Sequence, residues 1–343
     1  MFDVKTFLHS DALGPALEWK GYPKFNFIGG HNDNENIPVI SLKESIDKVI
    51  LREGKTLAKY GLESGPQGYF PLRNFLSNQL KNSAAINCVE REILIVSGSL
   101  QALDLVNTTF LRKGDTVIIE EENYGGTISR LKKIGVNMIG IPLEKDGMDI
   151  NYLEKELKKL ESENKKPRYI YTIPTIQNPT GTVMSVEKRR ALIEISKRFG
   201  IPIFEDDCYA DLLYEKERPP AIKSFDDEGY VIYCGSFSKS IAPALRVGYL
   251  VANWDILSRV LPYKTDAGSG SLEQMALAEF CKNEFNDHVT NLRVELKKKS
   301  DVICNALDKY FGSAANYQKP DGGIFIWVDM PENVDTSKLY DIA

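Results

Sequence analysis

Seven short apolar runs punctuate the sequence between Glu92 and Ala252, and helix-length segments separate several of them. The runs are EILIVS (Glu92 to Ser97), TVIIE (Thr116 to Glu120), VNMIGI (Val136 to Ile141), RYIYTIP (Arg168 to Pro174), IPIFED (Ile201 to Asp206), YVIYCG (Tyr230 to Gly235) and VGYLVA (Val247 to Ala252). Their Ile, Val, Tyr and Phe residues are mostly continuous rather than alternating, which suits strands buried on both faces. Between two of them, SVEKRRALIEISKRFG spaces Leu192, Ile195 and Phe199 as one helical face, with Ser185 placed to cap its start and Gly200 its end. Strands alternating with helices predict an α/β fold, here a mainly parallel seven-stranded sheet flanked by helices. Beyond about Trp254 the texture changes to long amphipathic helices, and GGIFIWVDM (Gly322 to Met330) then reads as a strand, so a smaller α+β domain is expected to follow.

Bulk properties narrow the function classes. The 343 residues exceed what one core usually supports, so two domains are expected. The net charge is −5, and no Lys/Arg run is interleaved with aromatics; LKKKS (Leu296 to Ser300) reads as a solvated helix face. Nucleic acid is therefore not an expected partner. Five scattered cysteines without a CxxC pair suit a reduced, cytoplasmic chain. The N-terminus carries an early Asp and no apolar run of signal-peptide length, and no segment approaches a membrane span. The three histidines, His9, His31 and His288, lie far apart, so neither a histidine metal site nor a Ser-His-Asp triad is expected, and no metal is assigned.

Polar residues gather where the strands should end, which is where ligands sit in open α/β sheets. Ser97, Gly98 and Ser99 stand between a strand and a helix, a turn whose N–H groups and hydroxyl can bind phosphate. Asn178 precedes Pro179 in a turn, and Asp206 and Asp207 end a strand with Tyr209 three residues beyond Asp206. Taken alone, the first two read as ordinary turns, and the aspartates are evenly a helix cap or a site. GSFSKSIAPALRVGY (Gly235 to Tyr249) is more specific. Ser236, Ser238 and the fork of Arg246 suit an anion. Lys239 beside that positive field is expected to have a lowered pKa, and a neutral amine can form a Schiff base with a carbonyl. A phosphate, an aldehyde and a ring nitrogen held by Asp206 together describe pyridoxal 5′-phosphate (PLP).

With YGLESGPQGYFPLRNFLSNQL, GSLQALDL, EENYGGT, NPTG, EDDCY, SFSKSIAPALRVGY, DHVTNLR and KPDGGIFIWVDMP, the chain resembles the class I/II aminotransferases, fold-type I PLP enzymes, over nearly its whole length. The resemblance is greatest to the branch holding the 2-aminoadipate/kynurenine aminotransferases and the aminotransferase domains of MocR-type regulators. It implies transfer of an amino group between an L-amino acid and a 2-oxo acid; other PLP carbanion chemistry (lyase, decarboxylase or cyclase) and a non-catalytic PLP-binding regulator or remnant are the alternatives. It implies Lys239 as the Schiff-base lysine and proton shuttle, Asp206 on the pyridinium nitrogen, Tyr209 and Asn178 on the ring's phenolic oxygen, and Tyr124 stacked on the ring. Ser99, the backbone of Leu100, Ser236, Ser238 and Arg246 would hold the phosphate. Tyr60 would reach the neighbouring subunit's site in a homodimer, and Gly30 would line the substrate pocket. Residues 1–40 would join the small domain, 41–257 form the PLP-binding domain, and 258–343 form the C-terminal domain. The family's Pro after the Gly29–Gly30 pair is replaced by HNDNENIP, and the arginine that clamps the substrate carboxylate is expected beyond Ala343. About forty residues precede the aminotransferase pattern, too few for a winged helix, so a transcription factor is not expected.

Overall fold

A computed structural model describes residues 3–9, 12, 14–27 and 29–339. The chain divides into two units, Met1–Gly30 and His31–Ala343. In the first, Asp3 caps the short helix Val4–Phe7 by accepting from the Lys5 N–H at 3.1 Å, and Trp19 meets Tyr22 edge to face at 5.9 Å.

In the second unit the strands are β1 (Ile93–Val96), β2 (Thr116–Glu120), β3 (Asn137–Ile141), the hairpin β4 (Leu143–Glu144) and β5 (Gly147–Met148), β6 (Ile170–Thr172), β7 (Ile203–Asp206), β8 (Val231–Ser236), β9 (Gly248–Val251), and the pair β10 (Asn316–Tyr317) and β11 (Val328–Asp329). The helices are α1 (Val39–Glu53), α2 (Phe70–Ala84), α3 (Ser99–Phe110), α4 (Gly125–Ile134), α5 (Ile150–Ser162), α6 (Val186–Phe199), α7 (Trp254–Val260), α8 (Ser271–Tyr310) and α9 (Thr336–Leu339). All seven apolar runs enter one sheet of order β1-β9-β8-β7-β6-β2-β3. Its β8-β7-β6-β2-β3 portion is parallel, and β9 runs antiparallel to both β8 and β1.

Both faces of the sheet are covered, as the continuous apolar runs require. Ile93 and Ile95 of β1 pack with Leu72, Leu76 and Leu80 of α2 and with Phe280 and Phe285 of α8. Leu94 and Val96, pointing the other way, pack with Leu103 and Val106 of α3. Ile118, Ile170, Ile203 and Val231, one from each of four adjacent strands, meet Leu153 and Leu157 of α5 and Leu192 and Ile193 of α6. Helix α6 has the expected caps: Ser185 accepts from the Lys188 N–H, and Gly200 takes a left-handed conformation (φ +61°).

Two expectations change in the C-terminal part. The long amphipathic stretch is one 40-residue helix, α8, rather than several. Of the strand expected over Gly322 to Met330, only Val328–Asp329 pairs as β11. The start of that segment instead docks on the sheet end: the Gly323 N–H donates to the Leu212 carbonyl at 3.0 Å, and the ring of Phe325 meets that of Tyr209 at 5.5 Å. Apolar content alone does not distinguish a ladder from a packed loop. Of the expected domain 258–343, residues 340–343 lie outside the described residues. Among the described residues no helix is long and apolar enough to cross a membrane.

Candidate active site

The carboxyl ends of β6, β7 and β8 and the N-terminus of α3 lie at the same end of the sheet. The sheet order explains this, because β6, β7 and β8 are adjacent and parallel while β9 joins β8 to β1, the strand that leads into α3.

The anion side is built from two segments. Gly98 precedes α3 with φ +77°, a left-handed value that exposes the first N–H groups of the helix at Ser99 and Leu100. A Cβ on Gly98 would fall 2.3 Å from Arg246 Nη2, so only glycine lets the guanidinium lie against this turn. Arg246 itself takes a left-handed backbone (φ +53°), and its guanidinium donates to the Ser97 carbonyl at 3.0 Å and the Pro243 carbonyl at 3.2 Å. Ser236 Oγ and Ser238 Oγ lie 3.0 Å apart, and the Ser238 N–H donates to Ser236 Oγ at 3.1 Å. A helix start, two hydroxyls and an arginine thus stand near one another, groups of the kind that bind phosphate.

Lys239 follows Ser238 directly and is half-buried, with Cys208 and Arg246 as its neighbours. Burial lowers its pKa from the ordinary lysine value; Cys208 opposes this, and Arg246 adds to it. The turn that carries Lys239 is held by its carbonyls. Asn32 Nδ2 donates to the Lys239 carbonyl at 3.3 Å and the Ile241 carbonyl at 3.2 Å, and His288 Nε2 lies 2.8 Å from the Ser240 carbonyl. Asn32 stands in the segment where the sequence departs from the family pattern, and no local spacing signals this contact across 207 residues.

The opposite wall carries the acid. Tyr171 of β6 donates to Asp206 Oδ2 at 2.7 Å, and Thr127 of α4 donates to the Tyr171 hydroxyl at 3.1 Å. Asp206 Oδ1 is closed from solvent and has no hydrogen-bond partner. Desolvation therefore raises the Asp206 pKa, although the neighbouring Cys208 and the Tyr171 hydrogen bond pull it down. A cationic N–H donor at Oδ1 would satisfy the oxygen and restore the charged form. Asp207, the neighbouring acid, is claimed elsewhere: Arg218 Nη2 donates to its Oδ2 at 2.7 Å and also reaches the Tyr233 hydroxyl at 2.7 Å.

Asn178 Nδ2 donates to the Tyr209 hydroxyl at 2.8 Å, so these two residues stand together. Burial pushes the Tyr209 phenol far up, which keeps it protonated. The Asn178 loop is anchored by Gln177, whose amide donates to buried Glu120 at 3.1 Å and to the Glu122 carbonyl at 2.6 Å. Tyr124 immediately precedes α4; its ring lies over Gly126, where a Cβ would come within 2.4 Å of it. Tyr60 is 90% exposed and opens the short 3-10 turn Tyr60–Glu63, away from these side chains' hydrogen bonds. Gly30 ends the N-terminal unit with φ +56°. Arg293, on α8, donates to the Asp211 carbonyl at 2.7 Å, a packing role.

The chemistry of these donors fits PLP: an anion cup for the phosphate, a half-buried amine for the aldehyde, an unpaired buried carboxylate oxygen for the ring N–H, and an amide–phenol pair for the ring oxygen. Fold and pocket together define a PLP-dependent transferase of fold type I. The pattern of the family described as "Aminotransferase class I and II" matches residues 24–341. The chain belongs to that family and is a PLP-dependent aminotransferase, moving an amino group between an amino acid and a 2-oxo acid. It is similar to the aromatic-amino-acid aminotransferase 1 of Thermococcus litoralis, at 31% identity over 93% of this chain and 76% of that protein. The 2-aminoadipate transaminase of Thermus thermophilus is 32% identical over 92% of this chain and 77% of that protein. Among solved structures, a multiple substrate aminotransferase from Thermococcus profundus superposes with a TM-score of 0.87 at 32% identity, covering 92% of this chain and 78% of that one.

Proposed function

We propose that Lys239, Asp206 and Tyr209 carry the transamination and that Ser99, Leu100, Tyr124, Asn178, Ser236, Ser238 and Arg246 hold the cofactor. The observation that carries this reading is that a half-buried Lys239 and a buried Asp206 oxygen without a hydrogen-bond partner have Cys208 as a shared neighbour. When bound, PLP supplies a carbonyl carbon for amino groups and a protonated ring that accepts electron density. Asp206, steadied by the Tyr171 hydroxyl, holds the proton of the ring nitrogen in place. The Lys239 amine, its pKa lowered by burial, would be the group that moves the proton of the substrate Cα. Asn32 and His288 fix the backbone turn from which Lys239 works. Tyr209 and Asn178 orient the ring oxygen, and Tyr124 covers the ring face.

The protein acts as a cytoplasmic homodimer on this reading, with Tyr60 of one subunit serving the other's site and Gly30 lining the substrate pocket. Exposed Tyr60 and the exposed apolar residues Val39, Ile40 and Leu51 of α1 support an interface. The substrate class is an L-amino acid with a 2-oxo acid as acceptor; the named relatives take aromatic amino acids and 2-aminoadipate, which makes these the first donors to try. The test is a single turnover of the PLP-loaded protein with an amino-acid panel. Stoichiometric 2-oxo acid and pyridoxamine phosphate are expected; release of ammonia or CO2 with PLP regenerated would overturn the reading.

A further inference from the structure

Two thiols stand beside the Asp206 carboxylate. Asp206 and Cys234 are partners in the parallel β7–β8 ladder, so their side chains leave the same face of the sheet side by side. Cys208 follows just past the end of β7. Both cysteines are free, Cys234 fully buried and Cys208 partly open. One carboxylate oxygen and the two sulfurs all lie within 4.8 Å of one another, and among the described residues this is the one cluster of three His, Cys, Asp or Glu donors so gathered.

The donor set has a definite chemical preference. Two sulfurs and one oxygen select thiophilic ions such as Zn2+ over Mg2+ or Ca2+. Around a tetrahedral Zn2+ such donors sit roughly 3.6–3.8 Å apart, so a closing movement of about 1 Å, within reach of side-chain rotation, completes the site. Asp206 is suited to the task because Tyr171 holds Oδ2 while Oδ1 has no partner. Three protein donors leave a fourth position for water, the arrangement of an exchangeable site rather than a closed structural one.

We propose that in the cofactor-free protein Asp206, Cys208 and Cys234 bind one Zn2+ or similar thiophilic cation, and that this ion and the cofactor ring exclude each other because both use Asp206 Oδ1. Binding forms two Zn–S bonds and one Zn–O bond and releases the two thiol protons to solvent, so no redox partner is needed. Zinc then blocks cofactor loading, and PLP displaces zinc. The exclusion rests on the assignment of Asp206 to the ring nitrogen; the metal site does not.

The experiment uses the full chain freed of PLP, as wild type and as Cys208→Ser, Cys234→Ser and, for control, Cys88→Ser. Equilibrium dialysis against Zn2+ should give about one ion per chain for wild type and Cys88→Ser. Affinity should fall at least about tenfold in each of the other two variants. Co2+ in the wild type should show sulfur-to-metal charge transfer, which reads the ligands without any substitution and so stands even if a variant misfolds. Added PLP should release the bound zinc in proportion to loading. Unchanged zinc binding in Cys208→Ser, a Co2+ spectrum without the sulfur band, or one zinc and one PLP bound together would each overturn the proposal. PLP loading of zinc-free protein, followed by its own absorbance, tests the cofactor reading separately.

Discussion

The hydroxyl of Tyr171 donates to Asp206 Oδ2 at 2.7 Å, and the other oxygen of that carboxylate has no partner. The pair divides the carboxylate into an oxygen held by Tyr171 and one that is buried without a partner. Asp206→Ala should still bind PLP through Lys239 and the phosphate cup, while turnover falls on the order of 10²–10³-fold, as when one preorganised charge is removed from an active site. Tyr171→Phe leaves Oδ2 buried and unpaired, at a cost of about 1–3 kcal/mol, and should lower turnover less than the Asp206 change. Steady-state rates together with cofactor absorbance check both. Near-normal turnover in Asp206→Ala would return Asp207 to consideration, despite its pairing with Arg218.

Lys239 has its pKa lowered mainly by burial, so its amine is neutral over a wider range than an ordinary lysine's. The rate of PLP capture by the cofactor-free protein should rise with pH and level off below the ordinary lysine pKa of about 10.5. Borohydride reduction followed by peptide mapping should place the label on Lys239. A label on another lysine would sink the assignment.

Gly98 and Arg246 share a space that admits no Cβ. Gly98→Ala should push the guanidinium off the turn and strain a left-handed backbone. PLP affinity is then expected to fall at least about tenfold, and Arg246→Ala to cost about 1.5–3 kcal/mol, the worth of a charged hydrogen bond. Fluorescence titration of PLP measures both. A Gly98→Ala variant with wild-type affinity would show that the anion binds elsewhere.

Glu120 is buried between β2 and β6, where it accepts from Thr172, Ile173 and Gln177, and desolvation pushes its carboxyl up to about 7 against an ordinary 4.5. The folded protein therefore keeps a proton that the unfolded chain sheds. This contribution to stability is full below about pH 4.5 and is lost as pH rises through about 7. Urea midpoints should fall across that window, and fall less in Glu120→Gln. An equal fall in both proteins would assign the slope to Glu205, which burial also raises.

Tyr60 is 90% exposed. Sedimentation of the PLP-loaded protein should show a dimer, and Tyr60→Phe should change catalysis without changing the sedimentation coefficient. A fully active monomer would contradict the shared site.

Much of the architecture was legible along the chain because it is set by local rules. Continuous apolar runs marked the strands of a sheet covered on both faces, and Ser185 and Gly200 marked the ends of α6, since caps are satisfied within a few residues. The motif from Gly235 to Tyr249 stood out as a candidate because its hydroxyls, lysine and arginine fall close together along the chain. The strand over Gly322 to Met330 was misread because apolar residues serve a docked loop as well as a ladder. What only the tertiary structure decided is which distant residues meet. The sheet order sets β6 beside β7, so Tyr171 meets Asp206 across 35 residues, and Arg218 takes Asp207. Asn32 reaches the Lys239 carbonyl across 207 residues. These contacts follow from strand pairing and helix packing, which bring together chain segments whose separation in sequence carries no trace of it.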